Sequence, residues 1–190
     1  MKTARKSQGF TLIEAVVTFG IILVVAAIAA PQVTRAVRTY RLSGAATDVA
    51  NMIQRTRFEA IRRNVITRTR ALQYANGRWQ VYIDLNNDRN PNAATEPYIF
   101  LPADMTFLGF ADVPPVNTMG YPQNVQLPAN NAISFDPRGT VDFGVGGAPA
   151  VLVVFLGAPN DPSYGFRAIA LTPAGKTRIW RASSQAAAWE

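Results

Sequence analysis

The sequence predicts an α+β protein: a long N-terminal, membrane-spanning α-helix packed on a C-terminal antiparallel β-sheet domain. Three observations carry the prediction. Residues 10–30 form an apolar run whose single charge is Glu14. An amphipathic helical pattern follows and extends to about residue 64. From residue 67 onward the chain reads as short strands punctuated by Pro, Gly and Asn turns. With 190 residues, no Cys and no His, the chain excludes disulfide frameworks, thiol catalysis, Cys-ligated zinc, Ser-His-Asp triads and His general bases. No enzyme activity and no cofactor are expected.

The first element is FTLIEAVVTFGIILVVAAIAA, Phe10 to Ala30. Its length matches the roughly 20 apolar residues that a helix needs to cross about 30 Å of hydrocarbon. A buried core helix and a secretory signal are the rivals, the latter because Lys2, Arg5 and Lys6 precede the run and small residues end it. The run is long for a signal, and Pro31 follows its Ala-rich end directly, so a retained membrane helix is the better reading. Orientation is undecided by charge: Lys2, Arg5 and Lys6 on one flank face Arg35, Arg38 and Arg41 on the other. Pro31 lacks an amide donor and crowds the preceding turn, which predicts a kink or local melting.

The second element continues the helix. At 100° per residue, Ala46, Val49, Ala50, Ile53, Phe58, Ala60, Ile61 and Val65 share one half of the wheel. Asp48, Arg55, Glu59, Arg62 and Arg63 fall on the other, with Arg55–Glu59 and Glu59–Arg63 spaced for i,i+4 pairing. Arg57 breaks the pattern by lying on the apolar side. A continuous helix from Phe10 to about Asn64 would be roughly 80 Å long. Positive charge concentrates here: residues 35–70 hold nine Arg against Asp48 and Glu59, whereas residues 71–190 carry seven cations and nine acids. The high isoelectric point is therefore a property of the helix and leader, not of the domain.

The strands follow. TRALQY and RWQVYID flank Asn76-Gly77, a strong hairpin signal. In the second of these, Trp79, Val81 and Ile83 alternate with Gln80, Tyr82 and Asp84, which predicts one buried face. Further strands are expected at 98–101, 105–110, 132–136, 140–143, 151–156, 167–171 and 176–181. Pro137-Arg138-Gly139 and Pro173-Ala174-Gly175 read as turns. The stretch from Asp112 to Asn131, rich in Pro and Asn, reads as a long loop.

Residues 9–14 are GFTLIE behind a three-cation leader. This closely resembles the type IV prepilin signal. The resemblance implies cleavage between Gly9 and Phe10 by a membrane aspartyl peptidase, and N-methylation of Phe10. It also implies retention of the helix, a cytoplasmic leader, single-pass residence in the bacterial inner membrane with the C-terminal domain periplasmic, and a periplasmic or cell-surface position once in a filament. A carboxylate inside a membrane helix costs on the order of 3 kcal/mol and reads as functional. Glu14 is expected to pair with the Phe10 ammonium of a neighbouring subunit, and Pro31 falls within the same assembly segment. RTRFEAIRRN, WQVYIDLNND, ISFDPRGTV and LTPAGKTR together resemble the GspH/FimT branch of minor pilins and pseudopilins. That resemblance implies the pilin fold, other major and minor (pseudo)pilins and the prepilin peptidase as partners, and a structural role in initiating or capping a type II secretion pseudopilus or type IV pilus. The rival function is a FimT-like pilus-tip DNA receptor in natural transformation. The expected organisation is a leader at 1–9, a transmembrane or filament-core helix at 10–30, its amphipathic continuation at 31–66, and a β-rich pilin domain at 67–190.

Two local patterns are candidate sites. Asp84, Asn86 and Asp88 have the 1, 3, 5 spacing of a calcium loop, but Arg89 and Thr95 stand where an EF-hand has Gly and Glu, and Glu96 comes one residue late. A polar hairpin loop without metal is the expectation. In GKTRIWR, strand alternation places Lys176, Arg178 and Trp180 on one face and Thr177, Ile179 and Arg181 on the other. Two cations beside an aromatic suggest a backbone-tracking patch with a stacking platform. Gly175-Lys176-Thr177-Arg178 is similar to the Gly-Arg-x-Arg motif of DNA-binding FimT pilins, with Lys in place of the first Arg, which loses the bidentate fork to phosphate. Lys176, Arg178, Trp180 and Arg181 are the DNA-binding candidates. A solvated edge strand is the competing reading.

Overall fold

In the computed structural model, which describes residues 10–121, 124–144, 147–159 and 161–190, a single α-helix, α1, covers Leu12–Arg63. The helix is unbroken through Pro31, so the local melting expected there is not seen. The chain divides into two compact units, the first ending at Val37 and the second spanning Arg38–Glu190. In the first unit the large apolar side chains are exposed, from Phe10 and Leu12 to Val33 and Val37.

The second unit holds nine described strands: β1 Thr67–Gln73, β2 Trp79–Asp84, β3 Tyr98–Phe100, β4 Thr106–Leu108, β5 Val125–Gln126, β6 Ala132–Phe135, β7 Val151–Gly157, β8 Phe166–Leu171 and β9 Thr177–Ala182. They form two sheets rather than one. The first has the order β3-β2-β1-β6 and the second β4-β7-β8-β9, with β5 beside β7. Described pairings are antiparallel except β5 with β7. The Asn76-Gly77 turn closes the β1–β2 hairpin as expected, with Gln73 opposite Trp79.

The buried face of the helix is small and tightly spaced. Leu42, Ala45, Ala46, Val49, Ala50, Ile53 and Ala60 enter one core with Val81 and Ile83 of β2, Ile133 and Phe135 of β6, and Leu156, Ile169 and Leu171 of the second sheet. Alanines at this spacing bring the helix backbone close to the strands. Thr56, fully buried, donates to Met52 O and accepts from the Thr69 hydroxyl of β1 at 2.6 Å. A second core lies on the opposite side of the second sheet, where Val151, Val153, Phe155, Ala168, Ala170 and Trp180 meet Val113, Met119 and the C-terminal Trp189. Two covered faces explain why β7 reads as a continuous apolar run and why β8 is buried along its whole length, Arg167 included.

Several expectations need correction. Phe58, placed on the apolar half of the wheel, is 64% exposed, and Ile61 and Val65 are also exposed. Glu59 pairs with Arg63 as expected, and with Arg62, but not with Arg55. Arg57, the misfit on the wheel, donates from Nε to Gly139 O at 2.8 Å. One turn earlier, Gln54 Nε2 donates to Gly175 O and Thr177 Oγ1. The helix thus grips both Pro-X-Gly turns through their carbonyls. β2 is buried on both faces, because Gln80, Tyr82 and Asp84 find polar partners in Tyr74, Arg89 O and Arg70. Residues 140–143 form no strand: Val141 makes a single bridge to Phe135, and Asp142 turns the chain by accepting from Gly144 N. The loop from Asp112 to Asn131 carries two 3-10 turns, Val116–Met119 and Ala129–Asn131, and the short strand β5.

Candidate functional site

The N-terminal site begins where α1 begins. Thr11 caps the helix, its hydroxyl accepting from Glu14 N at 3.3 Å. Thr11-Leu12-Ile13-Glu14 is therefore a capping sequence, and it places Glu14 in the first turn where the helix dipole favours a negative charge. Among the described residues the Glu14 carboxylate has no ion-pair partner. Phe10 is 70% exposed. Gly9 lies outside the described residues.

The C-terminal candidate is rearranged by packing. Lys176 and Arg178 are exposed, and Arg178 and Trp180 share a face as alternation requires. Trp180, however, is buried; its Nε1–H donates to Tyr121 Oη at 3.0 Å, and its ring meets Tyr121 edge-on. Arg178 covers what remains, with its guanidinium carbon 3.8 Å from the ring centroid. A base-stacking platform is not available there. Arg181 is exposed but lies 3.9 Å from the Glu190 carboxylate. The two residues also exchange backbone hydrogen bonds, Arg181 N to Glu190 O at 3.0 Å and Glu190 N to Arg181 O at 2.9 Å. The C-terminal segment thereby closes part of the outer edge of β9, and Trp189 anchors it through Nε1–H to Pro114 O. Arg167, opposite Arg181 in register, is buried; burial first, then Arg181, pulls its guanidinium below the ordinary value, and it donates to Ser43 Oγ and Phe166 O.

The acidic loop is more organised than its spacing suggested. Asp84 ends β2 with its side chain fully buried, and Arg70 of β1 donates to its Oδ2 at 2.6 Å. Asn86, Asp88 and Asn90 build successive turns through side-chain to backbone bonds. Glu96, buried just before β3, folds back to accept from Leu85 N through Oε1 and Asn92 N through Oε2, both at 2.9 Å. Carboxylate oxygens of Asp84, Asp88 and Glu96 come within 4.8 Å of one another. Burial first, then the charge of Asp84, pushes the Tyr82 hydroxyl up to about 12. Residue spacing found Asp84 and Asp88; Glu96 joins them only through the fold.

Between α1 and the two sheets lies an apolar cavity of about 150 Å³, lined by Val49, Ile53, Val81, Leu127 and Phe155 among others, with Arg70 its one charged residue. Nothing in its lining suggests acid–base or nucleophilic chemistry.

Comparison with known families bears directly on these sites. A family model described as type II transport protein GspH matches residues 45–178, and one described as the prokaryotic N-terminal methylation motif matches residues 4–30. No curated protein and no solved structure matches the chain.

Proposed function

Because the chain belongs to the type II transport protein GspH family and carries the N-terminal methylation motif, making it a type II secretion pseudopilin- or pilin-like protein, we propose that it is a minor subunit that helps initiate or cap a filament. That filament is a type II secretion pseudopilus or a type IV pilus. The observation that carries the proposal is the exposed apolar start of α1, whose one carboxylate, Glu14, has no ion-pair partner among the described residues. A surface of this kind needs lipid or neighbouring apolar helices to cover it. Pilin and pseudopilin families are structural rather than enzymatic, and the absence of His and Cys agrees with such a role.

In this reading, residues 1–9 are removed by prepilin peptidase and Phe10 becomes a methylated N-terminus. Residues 10–30 cross the inner membrane and later join the filament core. Residues 31–66 continue the helix, and residues 67–190 form the periplasmic domain. Glu14 pairs with the Phe10 ammonium of an adjacent subunit, which sets axial register and favours extraction from the membrane only at the assembly site. Pro31 removes one intrahelical hydrogen bond and marks the point where α1 opens most easily. The test is co-purification. Glu14→Leu leaves membrane insertion intact or improved and reduces recovery with the other minor subunits; recovery equal to wild type sinks the registering role.

A second reading, a DNA receptor at the filament tip, draws on the exposed cations Lys176, just before β9, and Arg178 and Arg181 on that edge strand. It loses Trp180 as a stacking platform and so rests on phosphate contacts alone.

A further inference from the structure

Asp84 presents an unresolved charge in the interior. Its side chain is fully buried, its Oδ2 is held by Arg70, and among the described residues its Oδ1 is a buried oxygen that accepts no hydrogen bond. A buried carboxylate oxygen normally finds a donor or a cation. Carboxylate oxygens of Asp88 and Glu96 stand within 4.8 Å of an oxygen of the Asp84 carboxylate and of each other, and Arg68, opposite Asp84 in register, donates to Asn87 rather than to any of the three. Among the described residues Arg70 alone forms an ion pair with any of these three carboxylates.

We propose that Asp84, Asp88 and Glu96 bind one calcium ion that ties the end of β2 to the start of β3. Calcium–oxygen bonds of 2.3–2.6 Å place ligands on one ion at separations of up to roughly 4.6–5.2 Å, which accommodates the observed cluster. The ligands are hard oxygens without any imidazole or thiolate, a set that suits calcium or magnesium rather than zinc or copper. Both oxygens of Glu96 and both of Asp88 already accept hydrogen bonds from loop amides. Such fixed carboxylates suit the irregular six- to eight-fold shell of calcium better than the strict octahedron and retained waters of magnesium. Two departures from the EF-hand pattern argued against this ion, and the fold answers both. Arg89, in place of Gly, adopts the left-handed conformation with φ 67°, and Glu96, one residue late, still reaches the cluster.

The experiment uses the full chain in detergent micelles, stripped with EGTA and titrated calorimetrically with calcium chloride, with magnesium chloride as the competing probe. Asp88→Asn is the diagnostic variant: Asp88 is exposed, and Asn keeps an acceptor for Asn90 N, so the turn survives. The expected result is one saturable site, at or tighter than the roughly 10⁻⁴–10⁻³ M of extracellular calcium modules. Asp88→Asn then weakens binding at least about tenfold, and calcium raises the melting temperature of wild type more than that of the variant. The proposal is overturned if the folded wild-type chain shows no saturable binding at millimolar calcium, if Asp88→Asn binds as tightly as wild type, or if magnesium binds as well as calcium. The wild-type titration is decisive by itself should the variant fold poorly.

Discussion

Gly77 and Gly175 adopt the same backbone conformation, φ 79°, in opposite surroundings, and substituting Ala at each separates backbone strain from packing. A side chain in the left-handed region costs about 1–2 kcal/mol. At Gly77, in the β1–β2 turn, an added Cβ meets no heavy atom within 4 Å, so that cost is the whole effect. At Gly175 the Cβ would stand 2.6 Å from Gly139 O and 2.8 Å from Arg57 Nε. Those two atoms are acceptor and donor, in that order, of the bond that fastens α1 to the Gly139 turn. Overpacking of this kind adds about 1–3 kcal/mol. Gly175→Ala should therefore cost about 2–5 kcal/mol and Gly77→Ala about 1–2 kcal/mol. At about 2–4 °C per kcal/mol for a domain of this size, Gly77→Ala lowers the melting temperature by a few degrees and Gly175→Ala by clearly more. Thermal melts of the two variants in the same detergent, followed by circular dichroism, read the difference. Equal shifts would refute the argument that the helix and the two Pro-X-Gly turns are packed without slack.

Two further predictions concern charge. If the domain binds duplex DNA, Lys176→Gln with Arg178→Gln should flatten the salt dependence of binding, while Trp180→Ala should act through stability, at about 3–5 kcal/mol, and not through a lost base contact; fluorescence anisotropy across a salt series, beside melts, separates the two effects. Acidification should destabilise the domain, because Glu59 is held below its ordinary 4.5 by hydrogen bonds from Arg62 and then Arg63, and Asp136, although burial pushes it up, is held below 3.8 by bonds from Thr140 and Arg138. Carboxyls depressed in the folded state contribute stability that is complete above their unfolded pKa values and lost as pH falls through the folded ones. The melting temperature should hold down to about pH 5 and drop below about pH 4.5, and Glu59→Gln with Asp136→Asn should shallow that drop.

The architecture was legible wherever one periodicity dominated. The apolar run, the alanine-rich stripe from Ala46 to Ala60 and the Asn76-Gly77 hairpin each match the structure closely. Periodicity failed where polar groups are buried against one another. Gln80, Tyr82 and Asp84 alternate with apolar residues and so imitate a solvent face, yet each finds a polar partner inside, in Tyr74, Arg89 O and Arg70. It also failed for β5, two residues paired in parallel with β7, because so short a strand has no alternation to read. Trp180 misled for a similar reason: alternation correctly assigned its face, but the burial of that face depends on Tyr121, far away in the chain. Arg57 was the informative misfit, since a cation on the apolar side of a helix marks where that helix meets backbone carbonyls.

Assembly through Phe10 and Glu14 requires that the chain be processed as a prepilin. Intact-mass analysis of the protein extracted from membranes of cells with an active prepilin peptidase tests this directly. The predicted product begins at Phe10, heavier by one methyl group than the bare residues 10–190, and replacement of Gly9 by a bulky residue leaves the leader attached. A wild-type chain that still begins at Met1 in those cells would contradict it.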